Sequence, residues 1–241
     1  MKKVALLAVM AALFAGCGDN GPKPLKMYTE ATFPPYEFLR GQEVVGLDVE
    51  IVRAIAEHVG RPLQVTSIDF DAVIPAVISG KADIAAAGIT ITEDRKQNVD
   101  FSDPYIKTGI VVVYKKTRPF AGVGSLKGVK IGVQSGTTSE TFVLDELKQE
   151  PERFRSPAEA VAALKVDRCA FVIADIDPAT NCVKGDDTLG LSDFITSEEY
   201  AVAIAKGQPE LLKAINETIV NLKASGKIDA WKAQFTAEAA K

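Results

Sequence analysis

The chain reads as an α/β protein, and three features carry that reading. Short β-prone runs alternate with amphipathic helical stretches along most of its length. One run, Ala82 to Ala87, is apolar except for Asp83 and opens through Gly88 into threonines and a short helix, as a buried strand of an open sheet does. The alternation also falls into two series of similar size, on either side of a long extended segment at Ile106 to Lys115.

Taken in order, Lys26 to Thr29 forms a first strand. Leu47, Ile51, Ile55 and Val59 then recur at helical spacing up to Gly60, and Leu63 to Ile68 is a second strand. Phe70, Val73, Ile74, Val77 and Ile78 follow the i, i+3, i+4, i+7, i+8 spacing of an amphipathic helix, with Pro75 placed near its start, where a missing donor matters least. The strand at Ala82 leads into a short helix carrying Arg95. The second series opens with a strand at Val129 to Val133, a glycine turn at Ser135-Gly136 and a helix from about Ser139 to Lys148. Ser156, Pro157 and Glu159 spell a capping box for the next helix. Cys169 to Ala174 is a strand, followed by a short helix ending at Cys182. Tyr200 to Ala205 is another extended segment; Leu211, Leu212, Ile215, Ile219 and Leu222 make a helical stripe closed by Gly226, and a last helix carries Trp231 and Phe235.

With 241 residues, 47% of them hydrophobic and 25% charged, the chain can bury one generous core or two modest ones. The formal net charge is −4, and no block of like charge offers a surface for nucleic acid. Lys2 and Lys3, the apolar run Val4 to Gly16 and Cys17 read as an export leader, too short for a membrane span of roughly 20 residues. Gly18 to Pro24 is a tether. An oxidising compartment permits Cys169 and Cys182 to pair; the alternative is two separate buried thiols. The run AAGITITEDR gathers a guanidinium, a hydroxyl and free N–H groups at a strand's carboxyl end, which suits a small carboxylate. No nucleophile with an adjacent base and no metal-ligand cluster is evident, and the only histidine, His58, reads as a surface residue.

Six segments then carry a resemblance. TEATFPPYEF (29–38), GLDVEIVRAIAEHV (46–59), DFDAVIPAV (69–77), AAGITITEDR (86–95), VDFSDPYIKTG (99–109) and IGVQSGTTSE (131–140) resemble, in order and spacing, the family 3 extracellular solute-binding proteins, receptors of polar amino-acid ABC importers. The likeness implies a two-lobed type II periplasmic-binding fold with two hinge strands, closing on one amino acid. Residues 1–16 become a lipoprotein-type signal peptide and 17–24 the tether; 25–104 with 201–241 form one lobe, 110–195 the other, and 105–109 with 196–200 the hinge. Small residues before Cys17 resemble a lipobox, so that cysteine is the expected acylation site.

The resemblance also implies roles. Arg95 grips the ligand α-carboxylate, helped by the N–H groups of Thr90, Thr137 and Thr138. Asp175, the Gly88 carbonyl and the Thr90 side chain hold the α-ammonium, although Asp175 can also be read as a helix cap. Phe33 and Phe70 sandwich the ligand side chain. Glu30, Gln134, Ala174 and Glu37 set specificity, and an acid at Glu30 favours a basic amino acid, arginine first. The expectation is a monomeric, extracytoplasmic lipoprotein in the periplasm or on the outer face of the membrane, working with an ABC permease and needing no cofactor or metal. A dehydratase-type enzyme on the same fold is the alternative.

Overall fold

A computed structural model describes residues 21–239, so the expected leader and the expected acylation site, Cys17, lie outside the described residues. In chain order the elements are β1 (Leu25–Thr29), β2 (Thr32–Phe33), β3 (Glu37–Arg40), β4 (Glu43–Val45), α1 (Leu47–His58), β5 (Leu63–Ser67), α2 (Phe70–Ile78), β6 (Ile84–Ala85), α3 (Glu93–Lys96), β7 (Val99–Phe101) and β8 (Ile106–Lys115). There follow β9 (Ile131–Gln134), α4 (Thr138–Asp145), β10 (Glu152–Phe154), α5 (Pro157–Lys165), β11 (Phe171–Asp175), α6 (Ile176–Val183), β12 (Leu189–Leu191), β13 (Thr196–Tyr200), β14 (Ala203–Ala205), α7 (Pro209–Ala224) and α8 (Lys227–Ala239).

Two main sheets result. The first has the order β5-β1-β6-β14-β7, and the second β10-β9-β11-β8-β12, with β13 also pairing β8. Each sheet is covered on both faces, as parallel strands require. On the first, Leu25, Met27 and Ile84 pack with α1, α7 and α8, while Ala85, Ala87 and Ala203 pack with α2. On the second, Val111, Val113 and Val172 face α5 and α6, and Ile110, Val112 and Ile173 face α4. We call the two units the first and second lobes. The carboxyl ends of β1, β6, β9 and β11 carry Glu30, Gly88, Gln134 and Asp175, so both lobes present their ligand-holding edges to each other.

The chain passes between the lobes where β8 and β13 run side by side, Ile106 opposite Tyr200 and Ile110 opposite Thr196. The single extended segment expected at Tyr200 to Ala205 is therefore two strands. Tyr200 ends the one bound to β8, and Ala203 starts one held between β6 and β7 in the other sheet.

Several local expectations need correction. Pro75 is the sixth residue of α2, past its first turn; the carbonyl that loses its donor belongs to Asp71, which is exposed to water. Ladder pairing in the strand expected at Ala82 to Ala87 is confined to Ile84–Ala85, because the chain then bends outward to Gly88 at φ 56°. The Ser156 hydroxyl accepts from Glu159 N as a capping box demands, but the Glu159 carboxylate takes Arg155 N in place of Ser156 N. The hairpin sheet β2-β3-β4 had no counterpart in the sequence reading.

Cys169 and Cys182 are both free. A five-residue strand rises about 16 Å and an eight-residue helix about 12 Å, so the chain falls short of its starting point and the pairing is not made. Both thiols instead pack into one apolar cluster, and burial pushes each up to about 11.

Candidate functional site

Nine of the ten residues expected to touch a ligand line one cavity between the lobes. Phe33, Phe70, Gly88, Thr90 and Arg95 come from the first, and Gln134, Thr137, Thr138 and Asp175 from the second. The tenth, Glu30, lies just behind, where its carboxylate accepts from Gln134 Nε2 at 3.4 Å and from the Thr32 hydroxyl.

Arg95 occupies α3, whose Thr92 cap accepts from Arg95 N at 3.2 Å and so fixes where the side chain leaves the backbone. Its guanidinium does not pair with Glu93 or Asp94. Nη1 donates to Thr90 O at 2.8 Å and Nη2 to Gly136 O, across the cleft, at 3.0 Å. The Phe70 ring lies beneath it, 5.6 Å from ring centre to guanidinium carbon. Burial lowers the pKa of Arg95, opposed by the charges of Glu198 and Asp175; an arginine remains cationic all the same. Its remaining N–H donors can serve a carboxylate.

Facing it, Asp175 is buried at the end of β11. It stands at the N-cap position of α6 but makes no side-chain cap bond. The carboxylate instead accepts from the Tyr200 hydroxyl. Burial and the neighbouring charge of Glu198 push Asp175 up to about 7, against the lowering pull of Tyr200 and Arg95. Thr90 gives its hydroxyl proton to Glu198 Oε2 at 2.6 Å, which leaves the threonine oxygen free to accept from another donor.

Gly88 and Gly136 are glycines for a local reason. At Gly88 (φ 56°) an added Cβ would lie 2.7 Å from the Phe33 ring, and at Gly136 (φ 76°) it would lie 2.8 Å from Asp71 of the opposite lobe. Asp48, wholly buried in α1, accepts from Gly88 N at 2.8 Å and from the Tyr105 hydroxyl at 2.7 Å, anchoring the Gly88 turn from below. Burial, opposed by those two donors, raises Asp48 to about 6.

Glu37 is a correction. It is fully buried beside Asp48 and absent from the cavity lining, and burial raises its carboxyl well above the usual range, so it supports the floor of the site. Ala174 is buried with its neighbours in the α5 and α6 cluster. Glu30 is 5% exposed and its pKa is raised by desolvation first, which is the state of an acid with no cation beside it.

Two residues escaped the sequence reading, Glu198 and Tyr200. Both lie on β13 and, two apart, project to the same face. Glu198-Glu199-Tyr200 carried the signal, an acid and an aromatic at strand spacing. The sequence reading places residues 196–200 in the hinge and gives neither side chain a part in the site.

Residues 25–238 match the family described as bacterial extracellular solute-binding proteins, family 3. A protein described as a probable histidine-binding protein of Neisseria gonorrhoeae is 32% identical over 260 residues, spanning 99% of this chain and 97% of that one. The arginine-binding extracellular protein ArtP of Bacillus subtilis is 32% identical over 254 residues, 99% and 100% of the two chains. Among solved structures, an amino-acid ABC transporter substrate-binding protein of Streptococcus pneumoniae, AbpA bound to L-arginine, superposes with a TM-score of 0.85 at 30% identity, covering 90% of this chain and 96% of that one.

Proposed function

This chain belongs to the bacterial extracellular solute-binding proteins, family 3, and on that premise we propose that it captures a basic L-amino acid, arginine first, for an ABC importer. The observation that carries the reading is a cavity with opposite charges at its two ends. Arg95 offers donors for an α-carboxylate, and Asp175 with the Thr90 oxygen offers acceptors for an α-ammonium.

The acids choose the side chain. Glu30, Asp175 and Glu198 are all buried around a cavity whose only lining cation, among the described residues, is Arg95. A zwitterion with a neutral side chain leaves that excess of negative charge standing. A guanidinium or ammonium reaching Glu30 compensates it and restores the solvation that burial removed. Phe33 and Phe70 can flank the aliphatic stem between the two ends.

Capture proceeds by closure. The amino acid settles on the first lobe at Arg95, Thr90 and Gly88; the second lobe then brings Asp175, Gln134 and the first-turn N–H groups of α4. Only the closed state makes both sets of contacts, so the ligand favours it by differential affinity. The lobes are 25–104 with 201–241 and 110–195, hinged at 105–109 and 196–200. Acylation of Cys17 holds the receptor, as a monomer, at the outer face of the membrane beside its permease.

No catalytic step is proposed. The cavity acids are engaged with Tyr200 and Thr90, not with a nucleophile, and incubation with prephenate or arogenate should yield no aromatic product. Titration calorimetry of the refolded, ligand-free domain against the amino acids tests the main reading. Arginine should bind, and Arg95→Ala should weaken it by about a hundredfold or more. Unchanged affinity in that variant removes the clamp.

A further inference from the structure

Outside the cavity, the lobes meet at a second place. Helix α6 of the second lobe lies against Tyr36, Pro34 and Lys232 of the first. Asp177, in its first turn, accepts with one oxygen both the Tyr36 hydroxyl at 2.5 Å and the Lys232 ammonium at 2.8 Å. One turn on, Asn181 Nδ2 donates to Pro34 O at 2.9 Å; an i, i+4 spacing puts both residues on one face of the helix. The Lys232 ammonium also lies 5.7 Å from the Tyr36 ring centre. Tyr36 and Lys232 are fixed to the first lobe independently, Tyr36 wholly buried in its core and Lys232 on α8.

We infer that Asp177 is a positioning residue for ligand capture: by tying the first turn of α6 to Tyr36 and Lys232 it holds the closed cleft shut and sets Asp175 at the cavity. The coupling to Asp175 is geometric. Asp175 is the residue on which α6 begins, so it moves with the helix. The Tyr36 and Tyr200 rings meet edge to face at 5.1 Å, and their hydroxyls go to Asp177 and Asp175 respectively, two residues apart. One aromatic pair thus seats both ends of the same turn.

These contacts differ in kind from the pair on the other rim, Arg155 with Asp69 at 2.7 Å, whose side chains are 74% and 55% exposed. An ion pair so open to water contributes little. Asp177 and Lys232 are 23% and 29% exposed, and opening the cleft exchanges a phenol–carboxylate hydrogen bond shielded from solvent for bonds to water.

The inference rests on the receptor reading, and the test separates the two. L-arginine dissociation is followed by stopped flow from the unmodified domain and from Asp177→Asn, Lys232→Met, their double variant and Asp69→Asn. Asp177→Asn and Lys232→Met should each release arginine about tenfold faster with association changed by less than about twofold, since closure contacts act after encounter. The double variant should be scarcely faster than either single one, as two ends of one contact require. Asp69→Asn should match the unmodified domain, and the ligand-free melting temperatures of the Lys232 and Asp177 variants should stay within about 2 °C of it. Unchanged dissociation in Asp177→Asn and Lys232→Met overturns the inference, as does equal acceleration in Asp69→Asn. Should one variant not fold, the other carries the comparison. An unmodified domain that binds no amino acid overturns the receptor reading itself.

Discussion

The charges in the cleft have consequences that single residues can test. Glu30 is buried, accepts from the Gln134 and Thr32 side chains, and is pushed up by desolvation. Glu30→Gln removes the charge with little change of shape, so arginine affinity should fall by about ten- to a hundredfold while glutamine affinity changes far less. Calorimetry on both ligands reads this directly. Asp175 makes the second prediction. Its native pKa, about 7 without ligand, lies above the ordinary 3.8, so the folded ligand-free protein holds a proton there that the unfolded chain releases. That proton stabilises the fold fully below the ordinary value, and the contribution is lost as pH rises through 3.8 toward 7. Asp48, raised to about 6, acts in the same direction. Ligand-free melting temperature should therefore be higher near pH 5 than near pH 8. Arginine needs the ionised form, so its affinity should climb between those values and then level off. A flat affinity profile would separate Asp175 from the ammonium.

At the scale of elements, the site is made by four strand ends and the turns that follow them. Each turn is held by a specific neighbour: Gly88 by Asp48, the Thr90 turn by Glu198, the start of α4 by Thr137, whose hydroxyl accepts from Glu140 N and donates to Gln134 O. Gly136 shows what the inter-lobe fit demands. A methyl there meets Asp71 of α2 at a distance no real Cβ tolerates, and the φ of 76° disfavours alanine as well. Gly136→Ala should leave the ligand-free fold destabilised by only about 1 kcal/mol, since the opposing helix can move away as the cleft opens. Arginine affinity should nevertheless fall about tenfold or more, because the lobes no longer meet. Melting curves and calorimetry on one preparation distinguish these effects; equal losses of both would point to a local fold defect instead.

For the whole molecule, two sheets with separate apolar cores are joined through the adjacent strands β8 and β13, and the closure proposed above would bend the chain there without unfolding either core. Ligand binding at one hundred times Kd should stabilise it by about 2.7 kcal/mol, or roughly 5–10 °C in melting temperature for a chain of this length. The radius of gyration in solution scattering should fall on adding arginine; a constant radius with clear binding would show that closure precedes the ligand. Much of this was legible in the order of residues. The periodicity of α1 and α7, the Ser156 cap, and the Gly-Thr-Arg run from Gly88 to Arg95 state their structures locally, because a helix face or a turn is set by neighbours a few positions apart. Eight of the nine cavity residues fall within the six family segments, and Asp175 lies outside them. Glu198, Tyr200 and Asp177 have no role in the sequence reading, since the partners that give them one stand 108, 25 and 141 positions away. Glu37 was misread for the same reason: its carboxyl is judged by depth, and depth belongs to the folded object. The sequence by itself determined the main helices, the central strands of both series and the charges of Arg95 and Asp175. Only the tertiary structure decided which acids face the ligand, which lie under the floor and which tie the lobes together, because desolvation and long-range pairing exist only once distant segments are packed.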